Sequence, residues 1–296
     1  MIRPGTAEDV EPAYHVFRRA LWSYLRDIGL VDAASDDDPG TAFARHRHLV
    51  EHLADTAAEF HVAVDDGGRL VGLARSIERD GVFQLTELFV DPDDQGGGIG
   101  TALLAEAFPV GRGRHRSILA TLDPRALSLY HRYGVAFQGA LVDISITPEV
   151  ADIGSDLLAE PVAADSIHRI AALDATLVGF ERLDDLRWLA GKRPCVALTR
   201  HGSVAGYAFL ADDVGVGPIG VADTADAAAA LDHVRNAAAR EGRGRFSMTT
   251  PLANHEAMRW AVGTGQEIEP FFTLILADAP FVSWDRYIGY TPEFFI

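Results

Sequence analysis

The chain has 296 residues, enough for two ordinary domains with separate hydrophobic cores, and a formal net charge of −17 at pH 7. This acidity argues against nucleic acids and anionic membrane surfaces as partners, because both attract basic faces. The single cysteine, Cys195, rules out an intrachain disulfide, and the polar start does not resemble a signal peptide, so we expect a cytoplasmic protein.

The first elements predicted along the chain are a short strand and an amphipathic helix. Ile2–Thr6 has a strand pattern, and Thr6 followed three residues later by Asp9 is typical of a capping box. We expect the helix to continue to about residue 25, because apolar residues recur at helical spacing: Val10, Tyr14, Phe17, Leu21 and Leu25.

The acidic segment Asp32–Thr41 contains three consecutive aspartates and has two interpretations. It is either a solvated loop or a lid that meets a cationic substrate. His48 and His52 follow at helical spacing, but no third ligand accompanies them. We therefore predict an exposed helix face there, and no metal site.

Three antiparallel strands come next. Phe60–Val64 and Leu70–Ile77 flank an Asp–Gly turn, and Val82–Val90 follows directly. A helix over 98–108 then leads to a strand at Ser117–Leu122, which we expect to run parallel to the preceding strand through a crossover. This change of direction predicts a cleft at the strand ends, where ligands bind in α/β sheets.

The loop before this helix, Gln95–Gly100, is rich in glycine. Backbone N–H groups at the start of a helix lack intrahelical partners, and glycine lets a phosphate approach them. A Walker loop needs a lysine after its last glycine, and the third small residue of a dinucleotide fingerprint would fall on Leu103. The loop instead reads Gln-x-x-Gly-x-Gly. A glycine turn without a ligand is the remaining alternative.

This order resembles the diphosphate loop of the GCN5-related N-acetyltransferases (GNAT), which bind acetyl-CoA. A later stretch resembles the GNAT signature Asn-x-x-Ala-x-x-x-Tyr-x-x-x-Gly-Phe. Ala126, Tyr130 and Gly134 match it in register, whereas Asp123 replaces the Asn and Val135 replaces the Phe. Two motifs in the family's order make residues 2–147 similar to a GNAT domain.

The resemblance implies acetyl-CoA as cosubstrate, without a metal. The cofactor-binding residues that it implies are Leu88, Phe89, Val90, Gln95, Gly96, Gly97, Gly98, Ile99, Gly100, Thr101, Asp123, Ala126 and Tyr130. Backbone N–H groups near Phe89 and Val90 are the implied contacts of the thioester carbonyl and pantetheine. Positions 96 and 97 are commonly basic in the family but are glycines here. The candidates for the missing positive charge are Arg112, Arg114 and Arg116.

Two catalytic residues are implied in the same way. Tyr130 is a candidate acid that protonates the departing thiolate, with a packing role as its alternative. Glu87 is a candidate base, with a structural or substrate-holding role as its alternative. Strand alternation places Leu85, Glu87 and Phe89 on one face. Several relatives carry the base at the position of Thr86, so the direction of Glu87 stays open.

The second half begins after a linker candidate, Pro148–Asp156, and repeats the order of elements. We expect a tandem α/β (mixed α+β sheet) protein, in which each domain is a mostly antiparallel sheet flanked by helices with a central parallel strand pair. The loop before its main helix lacks the glycine motif, and Asp223 and Asp226 would repel phosphate there. The predicted domains are an acyl-CoA-binding GNAT domain over 1–147 and a degenerate GNAT-like domain over 157–296.

Two further features of the second half have less specific interpretations. Asp174 and Arg182 belong to a segment that resembles C-terminal domains of tandem GNAT proteins. We interpret them as a structural ion pair or, alternatively, as lining of an acceptor pocket. The aromatic tail, Phe281–Ile296, is expected to dock on the core or on a partner.

Together these features predict an acyl-CoA-dependent N-acyltransferase that transfers acetyl from acetyl-CoA to a primary amine by direct attack. The acceptor is expected to be a small molecule or a peptide N-terminus. The alternative is a non-catalytic sensor or assembly module that binds acyl-CoA, which the glycines at 96 and 97 favour slightly. The sequence identifies no particular acceptor and leaves open whether the chain forms a homodimer.

Overall fold

The computed structural model describes residues 1–31, 38–212 and 215–291. The chain divides into two compact units, of which unit 1 comprises Met1–Phe137 and Leu276–Ala279, and unit 2 comprises Gln138–Ile275 and Pro280–Ile296. Parts of three predicted features lie outside the described residues: the acidic segment over 32–37, the strand start at Val214, and the tail over 292–296.

Unit 1 contains five strands and four α-helices in its described part. In chain order these are β1 (Ile2–Pro4), α1 (Val10–Asp27), α2 (Pro39–Asp55), β2 (Glu59–Val64), β3 (Leu70–Arg79), β4 (Val82–Val90), α3 (Ile99–Ala107), β5 (His115–Ala120) and α4 (Pro124–Arg132). The strands also lie in chain order across the sheet, and each neighbouring pair is antiparallel except β4 and β5, which are parallel. The predicted meander and parallel pair are confirmed.

Helix α1 begins where the sequence predicts. The Asp9 carboxylate accepts hydrogen bonds from the N–H and the hydroxyl of Thr6, at 2.8 and 2.9 Å, as in the predicted capping box. Tyr14 is buried against α2, and Phe17 packs on Phe89 of β4 with 4.8 Å between ring centroids. Helix α1 therefore covers the sheet face beside the end of β4.

Strands β4 and β5 pair over only part of their lengths. The register runs from Val82 opposite His115 to Leu85 opposite Ile118, and β4 then continues to Val90 beyond it. The strands therefore separate after Leu85, which opens a gap between their carboxyl ends.

A β-bulge lies at the same point, on the β3 side of β4. Arg75 is opposite Glu87, whereas the next residue of β3, Ser76, is opposite Leu85, so Thr86 is the extra residue. The Thr86 hydroxyl donates to the carbonyl oxygen of Arg75 at 3.0 Å, which fixes the bulge.

This bulge makes the predicted alternation of β4 wrong at Leu85. The Ser76 hydroxyl donates to the carbonyl oxygen of Ala107 in α3, so Ser76 and its cross-strand neighbour Leu85 face α3. Phe89 packs on α1, and Glu87, two residues earlier, faces the same side. Leu85 and Glu87 thus lie on opposite faces, because one extra residue reverses the alternation.

The second half of the chain alternates short strands and helices. Its elements are β6 (Ala136–Ile146), β7 (Leu158–Val162), α5 (His168–Val178), α6 (Leu183–Ala190), β8 (Cys195–Arg200), β9 (Ser203–Phe209), β10 (Ile219–Val221), α7 (Ala227–Arg240), β11 (Phe246–Pro251), α8 (His255–Gly263), β12 (Glu267–Ala277) and β13 (Tyr287–Ile288). The predicted order from α5 to β12 is confirmed, whereas β6, β7 and β13 were not predicted. None of the helices in the described part of the chain combines the length and hydropathy needed to cross a bilayer.

Unit 2 has a five-stranded sheet in the order β13, β10, β9, β8, β7, and all its neighbouring strands are antiparallel. The expected parallel pair does not occur in this sheet. Strand β10 is only three residues long and pairs with β13 on its outer edge, while the strand after α7, β11, pairs antiparallel with β6. The α/β fold class is confirmed, and the parallel pair is the one in unit 1.

Asp174 and Arg182 form a buried ion pair in unit 2. Two guanidinium nitrogens of Arg182 donate to the Asp174 carboxylate, at 2.8 and 2.6 Å, and Arg182 also donates to the Tyr287 hydroxyl at 2.9 Å. The Tyr207 hydroxyl donates to Asp174 as well. The predicted structural ion pair is confirmed, and the network joins α5, β9 and β13.

Candidate active site

Two adjoining cavities lie in unit 1, where β4 and β5 separate. The smaller has a volume of about 170 Å³ and the larger of about 350 Å³. The residues common to both are Leu88, Val90, Gln95, Asp123, Arg125, Ala126 and Tyr130. Because they share this wall, the cavities form one continuous site at the predicted cleft.

The glycine loop and the first turn of α3 line the larger cavity. Gly96 and Gly98 have φ of 88° and 83°, a region that favours glycine, and Gly98 is the N-cap of α3. The N–H of Ala102 donates to the Gly98 carbonyl at 3.1 Å, so the three preceding N–H groups have no intrahelical partner. The first turn contains no acidic residue, and these donors with the helix dipole favour an anion.

All the residues predicted to bind the cofactor line one or both cavities, except Gly97. Phe89 lines only the smaller cavity. Five of them line the larger cavity but not the smaller: Gly96, Gly98, Ile99, Gly100 and Thr101. The Gln95 side chain donates to the carbonyl oxygen of Val90 at 3.1 Å, which ties the loop to the end of β4.

Two backbone N–H groups of β4 point into the gap. The N–H of Asp91 donates to the carbonyl oxygen of Val71 in β3 at 2.8 Å, and successive residues of a strand direct their N–H groups to opposite sides. Leu88 and Val90 therefore direct theirs toward the side on which β5 has separated. Phe89 directs its N–H toward β3, so the N–H groups available to a ligand in the gap are those of its two neighbours, Leu88 and Val90.

Helix α4 presents Tyr130 and Ala126 to both cavities. Asp123 caps this helix by accepting the N–H of Arg125 at 2.9 Å, and hydrogen bonds from the Arg125 guanidinium lower the pKa of Asp123. Tyr130 is 6% exposed; burial, with a smaller contribution from the negative charge of Asp123, raises the pKa of its hydroxyl. Tyr130 therefore stays protonated at neutral pH, but the same shift makes its hydroxyl a weaker acid, and its role as acid stays a prediction.

Glu87 lines the smaller cavity, but its carboxylate is buried against Arg75. Nη1 of Arg75 lies 2.9 Å from Oε2 of Glu87, and the side chains are 1% and 2% exposed. Burial raises the pKa of Glu87, although the charge of Arg75 opposes this. The guanidinium also lies 4.6 Å from the ring centroid of Phe60. Glu87 is thus half of a core ion pair, and its role as base stays a prediction.

The smaller cavity has walls that the sequence did not identify as part of the site. Helix α1 contributes Ala20, Leu21, Ser23, Tyr24 and Asp27, and the end of β5 and the residue after it contribute Ile118, Leu119, Ala120 and Thr121. The apolar spacing of α1 marks its core face, and nothing in that spacing distinguishes residues that face a ligand.

The three arginines expected to assist the glycine loop line neither cavity. Their partners are Glu59 and Glu78 for Arg112, Asp80 for Arg114, and main-chain carbonyl oxygens, including that of Phe108, for Arg116. That expectation is therefore wrong, because these side chains are held on other parts of unit 1. The arginines that line the larger cavity are Arg125 and Arg132, both from α4.

The corresponding helix start in unit 2 carries carboxylates. Asp223 accepts the N–H of Ala225 at 3.0 Å, and Asp226, the N-cap of α7, pairs with Arg200 at 2.8 Å. Side-chain oxygens therefore take the place of an anion at this terminus, as the sequence indicates. The degenerate role of the second domain stays a prediction.

Two other features of the sequence are the histidine pair His48 and His52 and the single cysteine, Cys195. In the described ranges, no group of three or more His, Cys, Asp or Glu side chains could hold a metal ion. Cys195 is buried in β8, and burial raises the pKa of its thiol to about 12, which removes the thiolate that a nucleophile requires.

The chain matches known proteins at the level of domain and fold. A family model for the acetyltransferase (GNAT) domain matches residues 56–135, which contain β2 to α4 and both sequence motifs. No curated protein sequence matches the chain.

Solved structures share the fold over nearly the whole chain. A candidate acetyltransferase from Pyrococcus horikoshii is 14% identical with a TM-score of 0.76, covering 100% of this chain and 95% of the other. A GCN5-related N-acetyltransferase from Sphaerobacter thermophilus is 16% identical with a TM-score of 0.62, covering 95% and 96%. A tandem GNAT protein from the clavulanic acid biosynthesis pathway is 14% identical with a TM-score of 0.57, covering 95% and 99%. Residues 56–135 therefore match the acetyltransferase (GNAT) domain family, and the chain as a whole shares the fold of these GNAT structures.

Proposed function

We propose that the chain is an acyl-CoA-dependent N-acyltransferase that transfers acetyl from acetyl-CoA to a primary amine by direct attack. The acceptor is a small molecule or a peptide N-terminus. The observation that carries this proposal is the wall shared by the two cavities. The glycine loop lines one cavity, the separated end of β4 lies between them, and Tyr130 faces both.

The residues around the larger cavity suit CoA. The free N–H groups at the start of α3 match a diphosphate, and the small side chain of Ala126 leaves room beside α4 for a pantetheine chain. When bound, acetyl-CoA supplies the activated thioester carbonyl that an amine attacks.

The residues of the site promote that attack in three ways. The N–H groups of Leu88 and Val90 stabilise negative charge on the thioester oxygen. Glu87 accepts the proton of the amine, and burial raises its pKa, which makes the carboxylate a stronger base than an exposed one. Tyr130 donates its proton to sulfur as the C–N bond forms and the C–S bond breaks, so the products are an amide and a free thiol.

A non-catalytic protein that binds acyl-CoA is the second candidate. The Glu87 carboxylate lies 2.9 Å from Nη1 of Arg75, whose charge opposes the rise in pKa that burial causes, so Glu87 is a weaker base than burial alone would make it. Such a protein would use the same cavities as a sensor or an assembly module.

Calorimetry with acetyl-CoA, followed by an assay of free CoA thiol across a panel of amines, tests both candidates. We expect binding, and thiol release with at least one amine that is lost in Tyr130→Phe. Tyr133→Phe, on a residue that lines neither cavity, is the matched control. Binding without release across the panel supports the second candidate, and the absence of binding contradicts both.

A further inference from the structure

The two arginines that line the larger cavity have different surroundings. The Arg125 guanidinium donates to the Asp123 carboxylate at 3.2 and 2.8 Å, so its charge is compensated within α4. Arg132, the last residue of α4, is exposed and has no hydrogen bond or ion pair with any residue that the structure describes. Its charge therefore faces the cavity without a compensating partner among the described residues.

The glycine loop itself contributes no positive charge to this cavity. Positions 96 and 97 are glycines, and Asp94, which also lines the cavity, is paired with Arg69 at 2.8 Å. The loop offers only backbone N–H groups, whereas α4 offers the guanidinium of Arg132. Both groups line the same 350 Å³ space.

We propose that Arg132 binds a phosphate group of CoA and supplies from α4 the positive charge that the glycine loop lacks. This inference rests on the proposed function, because it names a contact of the same cosubstrate. CoA offers a diphosphate and a 3′-phosphate, and a guanidinium recognises either through paired N–H donors. An exposed contact of this kind weakens with salt, because counterions screen it.

The glycine loop has room for a basic side chain at one of its positions. A Cβ added at Gly97 would meet no atom within 4 Å, and the φ of Gly97 lies outside the left-handed region. Gly96 and Gly98 have the same free space but positive φ, which disfavours a side chain. We therefore expect Gly97→Arg to fold normally, and it tests whether the positive charge itself is what Arg132 provides.

The experiment measures the Kd of CoA by calorimetry for the wild type and for Arg132→Ala. We expect the Kd to rise about tenfold, as for the loss of one charge-assisted contact, and the difference to shrink at about 0.5 M salt. Arg259→Ala removes an exposed arginine of unit 2 and is the control for net charge. Gly97→Arg in the Arg132→Ala background is expected to restore most of the affinity, and Gly97→Ala is not.

Two shortened ligands identify the phosphate. If Arg132→Ala leaves the Kd of 3′-dephospho-CoA unchanged, the contact is with the 3′-phosphate. If Arg132→Ala raises the Kd of 3′-dephospho-CoA by the same factor as the Kd of CoA, the contact is with the diphosphate. Equal Kd values for CoA in wild type and Arg132→Ala would overturn the proposal, as would an equal loss of affinity for pantetheine, which has no phosphate. Failure of the wild type to bind CoA would instead contradict the proposed function.

Discussion

The ion pair between Arg75 and Glu87 offers the sharpest test of the structure. Arg75→Met keeps most of the side-chain volume but leaves the Glu87 carboxylate buried without a counter-charge. The substitution also removes the hydrogen bond of 3.3 Å that Arg75 donates to the carbonyl oxygen of Val50. The contact of the guanidinium with the ring of Phe60 is lost as well. Because both charged side chains are at most 2% exposed, water cannot replace the lost interaction.

The expected cost is about 3–5 kcal/mol in the free energy of unfolding, the range for breaking a buried pair from one side. Arg75→Met/Glu87→Leu removes both charges, and we expect it to lie within about 2 kcal/mol of the wild type. The cost of the single variant depends on pH. Burial raises the pKa of Glu87 in the folded state and the charge of Arg75 opposes that rise, so removing Arg75 raises the pKa further. A carboxylate with a raised folded-state pKa contributes stability at low pH that is lost as the pH rises through that pKa, so the penalty of Arg75→Met is smallest at low pH.

Urea unfolding followed by far-ultraviolet circular dichroism, at about pH 5 and about pH 8, measures these differences. Arg75→Met should be less destabilised at the lower pH, because Glu87 takes up a proton in place of its partner. The reasoning would be refuted if the double variant lost as much stability as Arg75→Met, or if the penalty of Arg75→Met were the same at both values.

Three further predictions concern the site. Tyr130→Phe should lower kcat about a hundredfold, the lower end of the effect of a general acid, while the Kd of acetyl-CoA changes less than about twofold. An unchanged kcat in the assay of free CoA thiol would exclude the acid role. Glu87→Gln should lower the acylation rate, and the ratio to the wild-type rate should be smallest above the raised pKa of Glu87, where the wild-type carboxylate is free to accept a proton. A ratio of rates that is constant with pH would contradict the role of Glu87 as base. Gly98→Ala should cost about 1–2 kcal/mol in unfolding free energy and weaken acetyl-CoA binding, because its φ of 83° disfavours a Cβ. Gly97→Ala should change stability by less than about 0.5 kcal/mol, and equal losses in the two variants would show that backbone conformation is not the cause.

The parts of the fold and of the site that depend on local chemistry could be predicted from the sequence. The capping box at Thr6, the meander and the helix after the glycine loop follow from spacing and turn residues, and each is present. The cleft follows from topology, because a helical crossover after an antiparallel meander creates a parallel pair.

Features that depend on tertiary pairing were not predictable in this way. The bulge at Thr86 has no signature in sequence, since any residue can be the extra one, and it reversed the face of Leu85. Arginines cannot be assigned to a ligand by proximity in sequence, because a long side chain pairs with whichever carboxylate folding brings near. Arg112 pairs in this way with Glu59 and Glu78, whereas Arg132 has no carboxylate partner among the residues that the structure describes.

The separation of β4 from β5 also has a consequence for the protein before any ligand arrives. A strand edge with free N–H and carbonyl groups can template pairing with another extended chain. Here that edge is confined to the few residues after Leu85 and lines a cavity of about 170 Å³, so only a narrow extended molecule can reach it. Pantetheine, with amide groups of its own, is such a molecule. The amide protons of Leu88 and Val90 should therefore exchange with deuterium faster in the free protein than in its complex, and would report on occupancy even where no acyl group is transferred.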